Sequence, residues 1–230
     1  MKKKFDKSII LLTTDTPHHN YFFNELIKNN IEFKQIYYQT KFINVFFKKN
    51  SKIENYQNKF ESKKFLYDKS IINKNAKKII SFNSKSTIKK IKLLQPKLGI
   101  VFGTEILSEE VINLFKDGLI NVHRGIISQY RGLDSDLWAY YHNDYYNIGT
   151  TIHFINKSID KGDIILQKRL KEAHKINVEK IRYYTTKIAV DLCTIILKEY
   201  LQGKKVNSKI QKKFGRYYSY MPREIKNTLV

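Results

Sequence analysis

The chain has 230 residues and a formal net charge of +22, a length that suits one α/β domain and excludes two full enzyme domains. Hydrophobic residues make up 42% and aromatic residues 13% of the sequence, which excludes an intrinsically disordered chain. The apolar runs are too short for a signal peptide or a membrane span. We therefore expect a folded, cytoplasmic protein with no membrane partner.

The predicted elements alternate between strand and helix. Apolar runs bounded by turn residues predict strands, and apolar residues at helical spacing after capping residues predict helices. The predicted strands cover residues 8–13, 31–38, 79–82, 98–102, 118–123, 149–155 and 164–167, and the predicted helices 20–28, 84–94, 108–115, 134–142 and 178–201. This order favours an α/β fold, a Rossmann-like, mostly parallel twisted sheet with helices on both faces.

Two regions fall outside this alternation. The Lys/Asn-rich stretch 48–75 is predicted to be a surface region with short elements. We assign residues 1–202 to the Rossmann-like domain and residues 203–230 to a short C-terminal extension, either a hairpin or a contact for a second copy in a homodimer. Tyr217, Tyr218 and Tyr220 would either pack this extension onto the domain or stack against a ligand.

The basic charge is dispersed and mostly due to lysine, whereas arginine is the residue that suits planar recognition of phosphate or guanine. Residues 101–150 even carry more acidic than basic side chains. We therefore interpret most of the charge as a solvated surface and expect no nucleic acid partner. The single cysteine, Cys193, lies in an apolar helical run, which is typical of a core residue in a reducing compartment.

A candidate site lies at the end of the strand GLINVH. Ligands of open α/β sheets bind beyond the carboxyl ends of the strands. Asn121 and His123 are two residues apart, so both side chains face the same side of the strand. An amide can donate to an oxyanion, and an imidazole can move a proton near neutral pH. Such a pair is also typical of loop caps, so its meaning depends on the residues around it.

The residues around Asn121 and His123 form a long segment that is similar to a known family. The segment GLINVHRGIISQYRGLDSDLWAYYHNDYYNIGTTIHFINKSIDKGDIILQ resembles the catalytic segment of the folate-dependent formyltransferases, a family with glycinamide ribonucleotide, methionyl-tRNA and sugar N-formyltransferases. The preceding LGIVFGTEILSEEVINLFKDG resembles the strand, loop and helix that lead into it. The resemblance is ordered and dense over residues 98–167 and weaker from residue 8.

The resemblance implies a formyltransferase fold and a catalytic set of Asn121, His123 and Asp160, with N10-formyltetrahydrofolate as co-substrate and no metal. Asn121 and a protonated His123 would donate hydrogen bonds to the tetrahedral oxyanion. Asp160 would orient His123 and help to pass the proton of the attacking amine to the folate.

The resemblance also implies two groups of binding residues. Those on the folate side are Phe102, Gly103, Glu105, Ile106, Leu107, Ile155, Asn156 and Ile159. Those on the substrate side are Arg124, Tyr130, Arg131, Gly132 and Trp138. Gly103 would serve either a close approach of the backbone or an ordinary turn, and Arg131 would either organise its loop or contact a phosphate.

Three histidines and one loop complete these expectations. His18 and His19 are expected in a polar loop after the first strand, and His153 is expected to face away from Asp160. Many members of the family carry His-Pro-Ser and then Leu-Leu-Pro at the catalytic histidine, whereas residues 124–128 here read RGIIS. The loop after His123 is therefore atypical, and Arg124 becomes a candidate for binding a substrate phosphate.

The segment is most similar to the small sugar N-formyltransferases. Only about 30 residues follow the last predicted helix, too few for the OB-like domain that methionyl-tRNA formyltransferases carry. The expected reaction transfers a formyl group to a 4-amino-4,6-dideoxy sugar linked to dTDP, GDP or UDP, for O-antigen or other surface polysaccharides. The alternatives are glycinamide ribonucleotide or methionyl-tRNA formyltransferase, a formyltetrahydrofolate hydrolase and a basic RNA-binding protein.

Overall fold

Seven strands form one twisted sheet in the computed structural model, which describes residues 8–40, 51–65 and 76–230. The sheet contains β1 (Ile9–Thr14), β2 (Gln35–Gln39), β3 (Ala76–Ile79), β4 (Leu98–Phe102), β5 (Leu119–His123), β7 (Gly149–Phe154) and β8 (Ile164–Arg169). Their order is β3-β2-β1-β4-β5-β7-β8. The first five strands of this order are parallel; β7 pairs antiparallel with β5, and β8 pairs antiparallel with β7, so only β7 runs against the others. The expected mostly parallel α/β sheet is thus confirmed.

Helices cover both faces of this sheet. They are α1 (Pro17–Lys28), α2 (Lys52–Lys64), α3 (Lys85–Leu93), α4 (Glu109–Ile112), α5 (Ser135–Tyr141), α6 (Val178–Leu201) and α7 (Arg223–Asn227). None of the helices that the structure describes combines the length and apolar character needed to cross a lipid bilayer.

Alternate side chains of β1 build two separate cores, because successive residues of a strand face opposite sides of the sheet. Ile9 and Leu11 pack with side chains of α1 and α6, and Cys193 lies in this core as expected. Ile10 and Leu12 pack with side chains of α3 on the opposite face. Both faces of the central strands are therefore buried, which explains their continuous apolar runs.

Two predicted strands had wrong boundaries, for reasons that lie in tertiary contacts. The strand predicted over 31–38 is β2, which starts only at Gln35 because Ile31 still bonds back to α1, with its N–H 3.0 Å from the carbonyl oxygen of Leu26. The strand predicted over 79–82 is β3, which begins at Ala76 and ends at Ile79, so only its last residue was predicted. Beyond it, the N–H of Phe82 donates to a Glu105 carboxylate oxygen at 2.6 Å and is no longer free for strand pairing.

The Lys/Asn-rich stretch 48–75 contains a full helix rather than short elements. Residues 48–50 and 66–75 lie outside the described residues. Between them, Ser51 and Glu54 form a capping box at the start of α2. Glu61 of this helix is fully buried, so α2 is an integral part of the fold.

The C-terminal residues pack against the residues that follow β5. A second, two-stranded parallel sheet pairs β6 (Tyr130–Gly132) with β9 (Arg216–Tyr218). Lys226 is buried, and its Nζ lies 2.7 Å from Glu54 Oε1 and 2.9 Å from Asp134 Oδ2. The C-terminal segment is thereby joined to α2 and to the start of α5.

Candidate active site

A cavity of about 820 Å³ opens at the carboxyl ends of the central strands. Asn121, His123 and Asp160 all line it. The eight residues expected on the folate side also line it, namely Phe102, Gly103, Glu105, Ile106, Leu107, Ile155, Asn156 and Ile159. The structure therefore places the predicted catalytic residues and the predicted folate-side residues in one cavity.

The cavity has two sides that belong to opposite faces of the sheet. The loop side consists of residues 105–107 and 155–159, and its Leu107 and Ile155 pack against the core of α3. The helix side consists of His18, His19, Arg124, Asp134 and Ser135. Helix α1, which carries the first two of these, packs on the other core.

Asp160 connects the candidate catalytic side chains. Its Oδ1 lies 3.4 Å from Asn121 Nδ2 and its Oδ2 lies 3.4 Å from His123 Nδ1. The N–H of Gly132 donates to Oδ2 at 2.7 Å and fixes the carboxylate. The two longer contacts can give way to hydrogen bonds with a substrate oxygen, since catalytic contacts are often loose without substrate.

The environment of this group sets its protonation. Burial lowers the pKa of His123 below the ordinary histidine value, although Asp160 and the carbonyl of Tyr130 oppose the shift. Burial acts to raise the pKa of Asp160, but the charge of His123 and hydrogen bonds from His153 and Gly132 hold it well below its usual range. Asp160 is thus a carboxylate near neutral pH. Because its pKa is lowered, a protonated His123 is a stronger acid than a free imidazolium and gives up its proton more readily.

His153 faces Asp160, contrary to our expectation. Its Nε2 lies 3.4 Å from Asp160 Oδ1 and 3.1 Å from Asn121 Nδ2, and its Nδ1 contacts the carbonyl oxygen of Phe154 at 2.8 Å. The cause is the antiparallel register of β5 and β7, which pairs Asn121 with His153. His153 is therefore a further polar residue of the site.

Tyr130, Arg131 and Trp138 do not line the cavity. Arg131 donates from Nε to the carbonyl of Gly215 at 2.6 Å and from Nη1 to that of Ile159 at 3.0 Å. These bonds organise the turn that carries Asp160, which is the first of the two roles considered for Arg131.

Tyr130 and Trp138 lie outside the cavity because they pack with other aromatic side chains. Trp138 stacks on Tyr218 at 5.1 Å between ring centroids, and Tyr218 also stacks on Tyr130. The carbonyl oxygen of Tyr130 lies 2.9 Å from His123 Nε2. Tyr218 therefore packs the C-terminal segment onto the domain, whereas Tyr217 lines the cavity.

Arg124 and Gly132 do line the cavity, on the helix side and beside Asp160 respectively. The guanidinium of Arg124 lies 3.5 Å from the carboxylate of Asp136, which is buried. This contact holds one end of the guanidinium at the cavity wall.

His18 and His19 lie in the first turn of α1 and not in a loop. The helix begins with Pro17 directly after its N-cap, Thr16, and both histidines are buried. Proline at the first helical position is a known start signal, so Pro17 could have placed the start of the helix correctly.

Gly103 is required by its neighbour His19. A Cβ at position 103 would lie 2.2 Å from His19 Nε2, and the backbone has a φ of +70°. Both explanations for this glycine therefore apply: the backbone turns with a positive φ, and the His19 side chain approaches closely.

We expect Gly103→Ala to displace the His19 ring, to lower stability by about 1–3 kcal/mol through the positive φ and to impair activity. Gly203→Ala is the matched control, because Gly203 has a φ of +100° but a Cβ at this position would meet nothing within 4 Å. Thermal unfolding and kcat/KM of both variants check the prediction. Equal activity of the two variants would show that the His19 contact has no functional role.

Within residues 8–40, 51–65 and 76–230, no three histidine, cysteine or acidic side chains are grouped as ligands for a metal ion. What the cavity offers is a carboxylate, imidazoles and an amide around one point. Such a set can stabilise an oxyanion and move a proton between two heteroatoms.

The family model for formyl transferases matches residues 7–191. Among curated proteins, methionyl-tRNA formyltransferase from Thermodesulfovibrio yellowstonii is 31% identical over 106 residues, which are 46% of this chain and 34% of that protein. The chain thus matches about a third of that relative's length.

Solved structures share the fold over most of the chain. A sugar N-formyltransferase from Shewanella superposes with a TM-score of 0.67 and 19% identity, covering 92% of this chain and 76% of that one. The formyltransferase PseJ from Anoxybacillus kamchatkensis, solved with UDP-4,6-dideoxy-4-formamido-L-AltNAc and tetrahydrofolate, has a TM-score of 0.58, 18% identity and coverages of 92% and 86%.

The fold and the cavity at its carboxyl edge are those of an α/β enzyme of the open-sheet type. The family match extends over most of the sheet and includes Asn121, His123 and Asp160. This chain belongs to the formyl transferase family.

Proposed function

We propose that this protein transfers the formyl group of N10-formyltetrahydrofolate to the amine of a nucleotide-linked amino sugar. The observation that carries the proposal is the meeting of Asn121, His123 and Asp160 at one wall of a cavity of about 820 Å³. Membership of the formyl transferase family supports the reaction class.

The folate is assigned to the loop side of the cavity. Ile106 is 72% exposed and Ile80, beside it at the cavity, is equally exposed. Such open apolar side chains suit a flat aromatic ligand. The loop side also presents backbone groups of residues 155–159, and a relative in the same fold binds tetrahydrofolate.

The acceptor is assigned to the helix side. Arg124 offers a cation there, and Asp134 and Ser135 offer polar groups. A 4-amino-4,6-dideoxy sugar linked to dTDP, GDP or UDP supplies an amine, hydroxyl groups and a diphosphate for these contacts. Sugar N-formyltransferases share the fold over most of this chain, and PseJ was solved with a formylated UDP-sugar. The product would enter the synthesis of O-antigen or another surface polysaccharide in the cytoplasm.

In the proposed mechanism, the neutral amine attacks the formyl carbon and forms a C–N bond. Asn121 donates to the resulting oxyanion, a contact typically worth roughly 3–4 kcal/mol in the transition state. His123 takes the proton of the amine, and its cation is stabilised by Asp160. His123 then gives this proton to N10 as the C–N10 bond breaks.

The lowered pKa of His123 supports this role as a base. Nε2 lies 2.9 Å from the carbonyl oxygen of Tyr130, so it carries the proton of the neutral ring. Nδ1, which lies beside Asp160, is then the nitrogen that takes the proton of the amine.

The test is incubation with N10-formyltetrahydrofolate and a panel of dTDP-, GDP- and UDP-linked amino sugars, with mass spectrometry of the products. We expect a mass gain of one formyl group on at least one nucleotide sugar. Exclusive formylation of glycinamide ribonucleotide would contradict the proposal.

Methionyl-tRNA formyltransferase is the second candidate, because the curated relative from Thermodesulfovibrio carries that name. Including charged initiator tRNA in the panel separates the two. Formylated methionyl-tRNA together with unchanged sugars, and binding that weakens steeply with salt, would favour the tRNA. Formate release without any acceptor would indicate a hydrolase.

A further inference from the structure

We propose that His19 determines acceptor specificity by hydrogen-bonding a hydroxyl group of the sugar through Nε2. This inference rests on the proposed function, because it takes a hydroxylated acceptor on the helix side of the cavity as given. It adds a recognition residue that lies outside the catalytic group of Asn121, His123 and Asp160.

One ring nitrogen of His19 is already used by the protein. Nδ1 lies 2.9 Å from Thr14 Oγ1 and 2.7 Å from Thr16 Oγ1. The ring also packs edge-on against Phe102, with 4.4 Å between ring centroids. Strand β1 and the start of α1 thus hold the imidazole in one orientation.

The other ring nitrogen is held ready for a ligand. Nε2 lies beside Gly103, which also lines the cavity. Among the described residues, none makes a hydrogen bond to this atom. The His19 side chain is only 7% exposed, but Nε2 is not among the fully buried polar atoms that lack a partner, so it remains accessible to a group bound in the cavity. A group bound in the cavity would provide the missing partner.

The chemistry of the ring favours a hydroxyl group as that partner. Burial, followed by the effects of His18 and Arg124, lowers the pKa of His19 well below its ordinary value, so the ring is neutral and does not attract an anion by charge. A neutral Nε2 is either a donor or an acceptor, depending on the tautomer. A hydroxyl can both donate and accept, so it satisfies Nε2 in either case.

His19 contacts Phe102 and Gly103, which were expected on the folate side, but we assign its hydrogen bond to the acceptor because of the face of the sheet from which the ring approaches. Phe102, against which the ring packs, belongs to the core of α1 and α6. Leu107 and Ile155 of the loop side belong to the core on the opposite face. The ring therefore approaches the cavity from the helix side, where Arg124 also lies.

The experiment compares an accepted amino sugar with analogues that lack one ring hydroxyl at a time. Wild-type protein should discriminate against one of these analogues by about 10- to 100-fold in kcat/KM, since an unpaired buried partner costs about 1–3 kcal/mol. His19→Phe keeps a planar ring but cannot bond the hydroxyl, so it should treat the sugar and that analogue alike. His19→Gln keeps a polar group near Nε2 and should restore part of the discrimination.

The controls separate recognition from folding and from catalysis. His174→Phe changes an exposed histidine outside the cavity and should leave the discrimination unchanged. Tetrahydrofolate binding, measured by calorimetry, should be unchanged in both His19 variants, and it also reports whether each variant is folded. The loss in His19→Phe should appear mainly in KM for the sugar.

Several results would overturn the inference. An unchanged preference among the analogues in both His19 variants would remove the specificity role. Weaker tetrahydrofolate binding in folded His19→Phe would move the residue to the folate side. If the wild-type protein formylates no amino sugar at all, the proposed function fails and this inference fails with it. If the wild-type protein formylates an amino sugar but the His19 variants keep its preference among the analogues, only this inference fails.

Discussion

Asp160→Asn should lower the rate of formyl transfer by about 10³-fold or more, the range found when the orienting acid of a proton-transfer group is removed. The amide keeps an oxygen for the N–H of Gly132, which now donates to Oδ2 at 2.7 Å, so the turn should remain in place. What is lost is the charge that stabilises the His123 cation after it has taken the proton of the amine. Single-turnover kinetics with bound folate measure this step directly.

Asp163→Asn is the matched control for this variant. Asp163 lies three residues further along the chain but does not line the cavity. The rate of formyl transfer by the Asp163→Asn variant should therefore stay close to that of the wild type. Tetrahydrofolate affinity reports whether both variants keep their fold. A folded Asp160→Asn variant with nearly normal turnover would remove Asp160 from the mechanism.

Arg182→Met should produce the largest loss of stability. Glu61 of α2 is fully buried, and Arg182 of α6 binds it with two contacts, Nε to Oε1 at 2.7 Å and Nη2 to Oε2 at 2.8 Å. Removing Arg182 leaves the buried carboxylate with only His18, whose Nδ1 lies 3.5 Å from Oε2. Breaking a buried ion pair in this way costs about 3–5 kcal/mol. For a domain of this size we expect the melting temperature to fall by roughly 6–20 °C.

The paired variant Arg182→Met with Glu61→Gln tests the cause. Replacing the carboxylate by an amide removes the buried charge, so a large part of the lost stability should return. Lys187→Met, at an exposed position on the same helix, should change the melting temperature little. If Arg182→Met melts within about 2 °C of the wild type, the pair does not stabilise the contact between α2 and α6.

The succession of strands and helices along the chain could be predicted from apolar runs, because both faces of the central strands are buried. The ends of strands β2 and β3 could not, because they depend on partners far away in sequence. Phe82 would continue a strand by its composition, but Glu105 takes its N–H. No local pattern contains that information.

The residues of the site also divide into those that local sequence predicts and those that only tertiary contacts place. Asn121 and His123 share one side of β5, which a period of two predicts. His153 joins them only through the register of β5 with β7, which the alternation of side chains within its own strand does not contain. His19 was missed because the helix was started at Asn20, although Pro17 after Thr16 indicates the earlier start.

The central claim is that Asn121, His123 and Asp160 form the site of formyl transfer. The most direct measurement is transfer of an isotopically labelled formyl group from N10-formyltetrahydrofolate to an accepted amino sugar, comparing the wild type with Asn121→Ala combined with His123→Ala. We predict labelled sugar from the wild type and none above background from the double variant, while tetrahydrofolate still binds to both. Wild-type levels of labelled sugar from the double variant would contradict the assignment of the site.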